Sequence, residues 1–248
     1  MDASLVVLLA SGMLVAAFLY ASVGHGGASA YIAAMAIAGI APAEMRPVAL
    51  QLNVLVSAVA TLKFCRAGHF RWPLFWPFAA LSIPAAFLGG GFTLPGTAYG
   101  YLVGLILLYA GCQLWWSARA AAELRPARRL PVAPAMAIGA ILGALAGLTG
   151  VGGGIFLSPL LLLFGWARTK QTSAVAAPFI LVNSLAALAA GHVRNPVAPP
   201  DYAWWLMAAV LAGGWFGAEF GSRRFANPLI RRVLAVVLAI AGGKMVLV

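Results

Sequence analysis

The chain has very few charged residues, and few of those are acidic. Only 8% of its 248 residues are Asp, Glu, Lys or Arg, with five acidic residues against sixteen basic ones. Hydrophobic residues make up 63% of the chain and the mean hydropathy is +0.97. Such a composition leaves too little polar surface for a water-soluble globule. We therefore expect an all-α polytopic membrane protein, since helices satisfy their own backbone groups in lipid.

Cysteine is also scarce. Cys65 and Cys112 are the two cysteines of the chain, too few for a disulfide framework and without metal-ligand spacing. Both lie in or beside apolar runs, so we expect buried, reduced thiols. The sequence has no His/Cys metal cluster, and its glycine-rich segments lack the Lys-Ser/Thr ending of a phosphate-binding loop. It therefore predicts no enzyme, no cofactor and no metal.

What the chain does have is ten apolar segments. Their approximate ranges are 5–22, 27–40, 46–63, 73–91, 97–117, 133–149, 154–166, 171–190, 202–221 and 228–247. Most can span the roughly 30 Å apolar core of a bilayer, but the second and seventh would reach only about 20 Å. These two are predicted to be broken or re-entrant half-helices.

The positive residues fall almost entirely on one side of this topology. When loops are assigned alternately to two faces, one face receives Lys63, Arg66, Arg71, Arg119, Arg125, Arg128, Arg129, Arg168, Lys170, Arg223, Arg224, Arg231 and Arg232. The other face receives Arg46, Arg194 and Lys244. This asymmetry explains the net charge of +11 better than nucleic-acid binding does. It predicts a multi-pass protein of the bacterial cytoplasmic (inner) membrane with both termini on the outer face.

The sequence also repeats itself. Residues 22–27 (SVGHGG) lie 127 residues before residues 149–154 (TGVGGG), in each case between a long segment and a short one. Five segments per half mean that the second half enters the membrane from the opposite side. We therefore predict an N-terminal transmembrane repeat (1–122), a cytoplasmic linker (123–134) and a C-terminal transmembrane repeat (135–248), with the two glycine junctions meeting near the midplane.

A helix that begins inside a membrane directs unpaired amides and the positive end of its dipole into the break. Two facing breaks would therefore form an anion site from backbone alone, and the glycines predicted to line it are Gly24, Gly26, Gly27, Gly152, Gly153 and Gly154. The alternative is that these glycines only permit tight helix packing. Their clustering at matched positions, each before a short helix, favours the anion site.

Several polar residues lie near the same junctions or on the third and eighth segments. The candidate substrate-binding side chains are His25, Asn53, Thr149, Thr172, Ser173 and Asn183. Intramembrane polar groups often mark substrate paths, although they also bond neighbouring helices. His25 is either an anion donor or proton carrier, or a neutral imidazole bonded to a carbonyl. Glu44 either pairs with Arg46 or titrates as a second proton-coupling group.

The junctions resemble those of the sulfite exporter TauE/SafE family. The resemblance rests on residues 24–27 (GHGG), on residues 147–159 (GLTGVGGGIFLSP) and on the helix with Thr172 and Ser173, and it covers essentially the whole chain. The first half departs from the pattern, with residues 28–31 (ASAY) where the second half has residues 155–158 (IFLS). The resemblance implies export of small sulfur-containing anions, sulfite or organosulfonates, across the bacterial cytoplasmic membrane.

The sequence thus predicts a secondary transporter that exposes a small anion alternately to each side of the membrane. Its partners would be that anion and the lipid bilayer, with no nucleic acid, and a homodimer is left open. An anion channel with the junction as its filter is one alternative. A membrane subunit of a larger complex is another, and a membrane-embedded enzyme is disfavoured by the missing acid, base and metal groups.

Overall fold

The structure of the protein is a computed structural model that describes residues 2–117, 128–194, 199–223 and 228–247. These residues form helices and connecting segments without a strand. The helices are α1 (Ala3–Ala21), α2 (Ala28–Ile37), α3 (Pro42–Arg66), α4 (Trp72–Gly90), α5 (Gly96–Ser117), α6 (Val132–Thr149), α7 (Gly154–Leu163), α8 (Thr169–Arg194), α9 (Ala203–Arg223) and α10 (Pro228–Leu247).

Among the described residues, five helices are long and apolar enough to cross a membrane, namely α1, α3, α4, α6 and α8. By contrast, α2 and α7 have ten residues each and extend only about 15 Å at 1.5 Å per residue. Both are shorter than the sequence predicts, because the chain leaves the helix before Gly39 and Gly165, which have positive φ.

The packing places α3 and α8 inside the bundle. These two helices contact each other, α3 also packs against α9 and α2, and α8 packs against α4 and α7. Further pairs are α1 with α9, α4 with α6, and α5 with α10. The most apolar stretch of α8 is 61% buried against 28% for that of α1. Polar groups on α3 and α8 are therefore shielded by surrounding helices.

Two stripes of glycine bring helices into backbone contact. On α6 the stripe contacts carbonyls of α4, and its members are Gly139, Gly143 and Gly147. On α9 the stripe contacts carbonyls of α1, and its members are Gly213, Gly217 and Gly221. Small residues spaced four positions apart along a helix allow such close approach in membrane bundles. For these glycines the packing interpretation is sufficient.

Charged side chains form contacts between helix ends. Glu219 lies 2.5 Å from Lys63 Nζ and 2.7 Å from Arg223 Nε. Lys244 donates hydrogen bonds to the carbonyls of Ala36 and Ile37 at the end of α2, at 2.7 and 3.2 Å. Each of these contacts joins residues that the sequence assigns to the same membrane face.

The structure bears on two predictions, those for the cysteines and for the linker. The expectation of buried thiols is wrong, because Cys112 is exposed on α5 and Cys65 is only partly buried. Their free state agrees with reduced thiols. Residues 123–127 of the predicted linker lie outside the described residues, as do Arg119, Arg125 and Arg224, and α6 already begins at Val132.

Candidate anion site at the glycine junctions

Each short helix begins at a glycine in the left-handed conformation. Gly27 precedes α2 with φ 95°, and Gly153 precedes α7 with φ 77°. Three residues earlier, Gly24 and Gly150 have φ values of 76° and 81°. A side chain at such positions is strained, so glycine is required by the backbone itself. Gly152 also has a positive φ, whereas Gly26 does not. The two junctions therefore have similar but not identical backbone conformations.

The positions of positive φ change the register of the predicted repeat. The matching pairs, Gly24 with Gly150 and Gly27 with Gly153, are 126 residues apart, one fewer than the 127 that the sequence alignment predicts. In this corrected register, His25 corresponds to Val151 instead of Gly152. The sequence alignment matches the glycine runs end to end, whereas the corrected register matches the backbone conformations.

Asn53 of α3 lies between the two junctions. A Cβ atom added to Gly26 would overlap its Oδ1 atom, and one added to Gly152 would overlap its Nδ2 atom. In the corrected register these two glycines are counterparts. The side chain of Asn53 is fully buried and donates a 3.0 Å hydrogen bond from Nδ2 to Ser184 Oγ on α8. One carboxamide thus contacts both breaks.

Apolar side chains of α8 complete the contact. Ile180 packs against Gly26, Gly152 and Gly154, and Phe179 packs against Gly153. Both side chains are buried. Sequence reasoning missed them, because only polar side chains on the eighth segment were considered. No signal in the sequence distinguishes them from the other apolar residues of α8.

The first junction is held by hydrogen-bonding side chains. Ser173 Oγ on α8 donates to the carbonyl of Val23 at 2.8 Å, and a Cβ at Gly24 would overlap Ser173. Tyr31 Oη donates to the carbonyl of Gly26 at 2.8 Å, and the same tyrosine closes off the space beside Gly27. Two carbonyls of this junction are thereby bonded to side chains of α8 and α2.

His25 links the first junction to α7. Its Nδ1 atom lies 3.2 Å from the carbonyl oxygen of Val23, and its Nε2 atom lies 3.1 Å from Ser158 Oγ. Because a carbonyl only accepts, the first contact requires a proton on Nδ1, and in a neutral imidazole the Ser158 hydroxyl then donates to Nε2. The structure thus contains the carbonyl contact that one of the two predicted interpretations of His25 requires. Ser158 belongs to the motif of the other half, and sequence reasoning gave it no role.

The second junction is held differently. Thr149 Oγ1 donates to the carbonyl of Leu145 at 2.7 Å and accepts the amide of Val151 at 3.4 Å. Tyr99 Oη of α5 donates to the Thr149 carbonyl at 3.1 Å. The side chain and backbone of Arg46 pack beside Gly150. Arg46 therefore contacts the second junction where Ser173 contacts the first, through its Cγ atom and backbone.

Arg46 caps the end of α4. Its guanidinium donates to the carbonyls of Gly90 and Phe92 at 2.5 and 2.7 Å, and a longer bond reaches Gly89. A second arginine, Arg194, donates to Gly91 at 2.9 Å. Cations at a helix C-terminus oppose the negative end of the dipole. Sequence analysis left Arg46 as a pairing partner for Glu44, and that pair is not formed.

Glu44 lies at the protein surface, apart from the junctions. Its Oε2 atom accepts a 3.0 Å hydrogen bond from Tyr202, and burial together with this carboxylate raises the pKa of Tyr202 to about 12. The two side chains border a cavity of about 430 Å³ that is otherwise lined by Ala38, Gly39, Ile40, Ala41 and Pro200.

Two further predicted site residues, Thr172 and Asn183, are buried on α8. Asn183 donates from Nδ2 to the carbonyl of Phe179 at 2.7 Å. Within the described residues its Oδ1 atom has no hydrogen-bond partner, nor does Oγ1 of Thr172. Neither residue is among the nearest neighbours of a junction glycine.

The chain is similar to known proteins over nearly its whole length. The family model for the sulfite exporter TauE/SafE matches residues 8–245. The chain belongs to the TauE/SafE family. It is 41% identical over 239 residues, 96% of each chain, to a protein described as "Probable membrane transporter protein y4hK" from Sinorhizobium fredii. No solved structure matches. As a TauE/SafE protein the chain is a membrane transporter, in agreement with its membrane-length helices.

Proposed function

We propose that this protein is a secondary transporter that exports small sulfur-containing anions, sulfite or organosulfonates, across the bacterial cytoplasmic membrane. The anion would bind between the two glycine junctions, where the first amides of α2 and α7 supply donors and the positive ends of two helix dipoles. Transporters often bind substrate near the midplane at such paired helix breaks.

The observation that carries this proposal is the position of Asn53. Two breaks far apart in sequence converge on one buried side chain, which contacts Gly26 of the first and Gly152 of the second. Glycines that served packing alone would contact ordinary helix surfaces, as the stripes on α6 and α9 do. Convergence on a fully buried polar group is instead what a binding site requires.

The arrangement of helices supports an inverted repeat, which we propose as the framework of the site. If α1 to α5 correspond to α6 to α10, the contact of α1 with α9 is the counterpart of α6 with α4. In the same way α3 with α9 matches α8 with α4, and α2 with α3 matches α7 with α8. The pairs α3–α8 and α5–α10 are their own counterparts, as a twofold axis requires.

The two breaks have different surroundings, and this difference supports alternating access. The first break contacts Ser173 near the start of α8, and the second contacts Arg46 near the start of α3. These two helix starts are assigned to opposite membrane faces by the distribution of positive charge. The glycines and Asn53 pack together without intervening space, so we interpret this conformation as closed to both sides.

Export fits the electrical driving force. With the positive loops in the cytoplasm and both termini outside, an anion would leave a cell that is negative inside. That movement gains about 2.3 kcal/mol per charge per 100 mV. Proton coupling, if present, would fall to His25 in preference to Glu44, because His25 lies in the first junction and contacts the second half through Ser158.

Counterflow in proteoliposomes containing only this protein tests the proposal. Vesicles loaded in turn with sulfite, sulfate, thiosulfate, taurine and a small organosulfonate should show saturable exchange of at least one anion. Gly153→Leu should abolish it, since the new side chain meets Phe179 at a backbone φ of 77°. Gly12→Leu is the matched control, because that glycine has no neighbour within 4 Å.

Each other outcome has a distinct meaning. Flux that does not saturate and shows no counterflow would replace the carrier with an anion channel. No flux of any anion, from inserted and folded protein, would contradict an autonomous carrier and favour a subunit of a larger complex. Exchange that survives Gly153→Leu would remove the second junction from the site.

A further inference from the structure

Among the described residues, three buried side-chain oxygens of the candidate site have no hydrogen-bond partner, namely Asn53 Oδ1, Asn183 Oδ1 and Thr172 Oγ1. The two carboxamide oxygens can only accept, whereas the Thr172 hydroxyl can donate or accept. Both asparagines are fully buried. Buried polar groups are rarely left unpaired, and each such exception needs an explanation. A ligand that is absent from the structure is one explanation.

The carboxamide oxygens are the atoms of the two asparagines that lack a partner. Nδ2 of Asn183 donates to the Phe179 carbonyl, which can only accept, so its amide nitrogen must point there. Nδ2 of Asn53 donates to Ser184 Oγ, and its Oδ1 atom faces Gly26 of the first junction. Each NH₂ group thus makes a hydrogen bond within the protein, whereas neither carbonyl oxygen has a partner among the described residues.

The two asparagines belong to the same region of the bundle. Asn183 lies three and four residues after Ile180 and Phe179, so it shares a face of α8 with the two side chains that pack on the second junction. Its sequence neighbour Ser184 is the residue bonded to Asn53. The unpartnered carboxamide oxygens therefore lie on both interior helices, α3 and α8, which also carry side chains that contact the junctions.

Acceptors beside an anion site restrict the anion. A fully deprotonated oxyanion has only acceptors, so its oxygens would repel the carboxamide oxygens while binding the backbone amides. A ligand that also carries an O–H or N–H group satisfies both sets. A site built to bond a donor strongly rejects an analogue that lacks one.

Resting on the transport function proposed above, we propose that the substrate is an anion that carries its own hydrogen-bond donor, bound by the junction amides at its oxyanion end and by Asn53 and Asn183 at its donor end. Chemically, this class comprises protonated oxyanions such as hydrogensulfite and sulfonates with a hydroxyl or ammonium group. Fully deprotonated dianions and simple alkanesulfonates offer no such donor and should bind more weakly.

The test compares two probes that differ by one hydroxyl group, 2-hydroxyethanesulfonate and ethanesulfonate. Counterflow of each is measured with the wild-type protein in proteoliposomes at fixed pH. We expect KM to be about tenfold lower for the hydroxylated probe, the effect of one well-formed hydrogen bond. Equal KM values, or a preference for ethanesulfonate, would overturn the inference while leaving a sulfonate transporter in place.

Two variants test which residues cause the preference for the hydroxylated probe. Asn183→Leu removes an acceptor away from the tight contacts of the junctions, and it should reduce the ratio of the two KM values, both measured with the variant, to less than about threefold. Full discrimination in that variant and in Asn53→Leu, with both proteins folded, would overturn the assignment to the two carboxamides. If wild-type protein exchanges neither probe nor sulfite, the proposed function fails instead.

A second arm uses sulfite at several pH values, equal on both sides of the membrane. The exchange rate at constant total sulfite should follow the hydrogensulfite fraction. The two sulfonate probes do not titrate in this range, so their exchange at each pH corrects for effects on the protein itself. A corrected rate that follows the dianion would contradict the inference.

Discussion

The two glycine junctions have similar backbone conformations but different supporting contacts. The first is held by hydroxyl groups of Tyr31 and Ser173, and the second by hydroxyl groups of Thr149 and Tyr99. The second has three glycines of positive φ within four residues, one more than the first. The second junction therefore requires glycine at one more position than the first does. The first half departs from the family motif directly after its junction, at residues 28–31.

The residues of that departure have specific roles. Ser29 Oγ donates to Tyr20 Oη at 3.0 Å, and Tyr31 reaches back to the junction it follows. Residues 28–31 therefore replace the apolar sequence of the second half with a set of local hydrogen bonds. The first junction is thus modified from the family pattern without losing its backbone form.

The largest effect is expected where both junctions meet Asn53. Gly26 is not among the glycines of positive φ, so Gly26→Ala adds overlap with Asn53 without backbone strain. We expect exchange to fall about a hundredfold, the equivalent of roughly 3 kcal/mol of overpacking. Counterflow measures it, with Gly12→Ala as control. Near-normal exchange would separate the first junction from transport.

The same comparison extends to the second junction. Gly152→Ala meets Asn53 too, but at a φ of 79°, so the yield of folded protein should fall as well. In Gly26→Ala, a second change of Asn53→Ala relieves the overlap and should restore folding without restoring exchange. Restored exchange would mean that Asn53 is only a packing residue.

The next effect concerns the cation that only the second junction has. Arg46→Gln should raise KM for anions presented from the outer face about tenfold, because it removes the positive charge of a side chain whose Cγ atom contacts Gly150. Arg194→Gln is the control, since it caps the same helix end without contacting a junction. Side-specific uptake in oriented vesicles measures both. Equal effects of the two substitutions on KM would mean that Arg46 acts only as a helix cap.

A smaller effect is expected from the histidine that only the first junction has. His25→Gln should leave counterflow within about threefold, since a glutamine can still bond Ser158, but it should abolish uphill transport driven by a pH gradient. Glu44→Gln should leave both activities unchanged. Accumulation that persists in His25→Gln, or disappears in Glu44→Gln, would move the coupling group elsewhere.

The smallest effects come from the two tyrosines that bond junction carbonyls. Tyr31→Phe and Tyr99→Phe each remove one buried hydrogen bond, at about 1 kcal/mol of unfolding free energy. Thermal unfolding in detergent should register both. Only Tyr31→Phe should also raise KM, because the bonded Gly26 contacts Asn53. The opposite order would place the substrate nearer the second junction.

The sequence was informative where local rules apply. Membrane class, helix order, the two short helices and the glycine junctions follow from hydropathy and from the backbone needs of Gly27 and Gly153. The register was wrong by one residue because glycine runs of different length align ambiguously. Cys112 was placed inside because an apolar neighbourhood does not distinguish lipid from protein in a membrane.

Long-range contacts could not be predicted in the same way. The sequence predicts Asn53 as a candidate substrate-binding residue, but its contact with both junctions depends on how α3 packs against α8. Ile180 gave no signal among many apolar residues of α8. The capping of α4 by Arg46 requires knowing that two loops meet. Such contacts arise from tertiary packing, which a single sequence does not specify.

An experimental structure with a bound anion tests the central claim most directly. A hydroxylated sulfonate, at a concentration that saturates counterflow, should lie within hydrogen-bond distance of the junction amides around Gly26, Gly27, Gly153 and Gly154 and of Asn53. Density between the two breaks, lost in Gly153→Leu, is the predicted result. Density in the cavity bordered by Glu44 and Tyr202, with closed and empty junctions, would contradict the account.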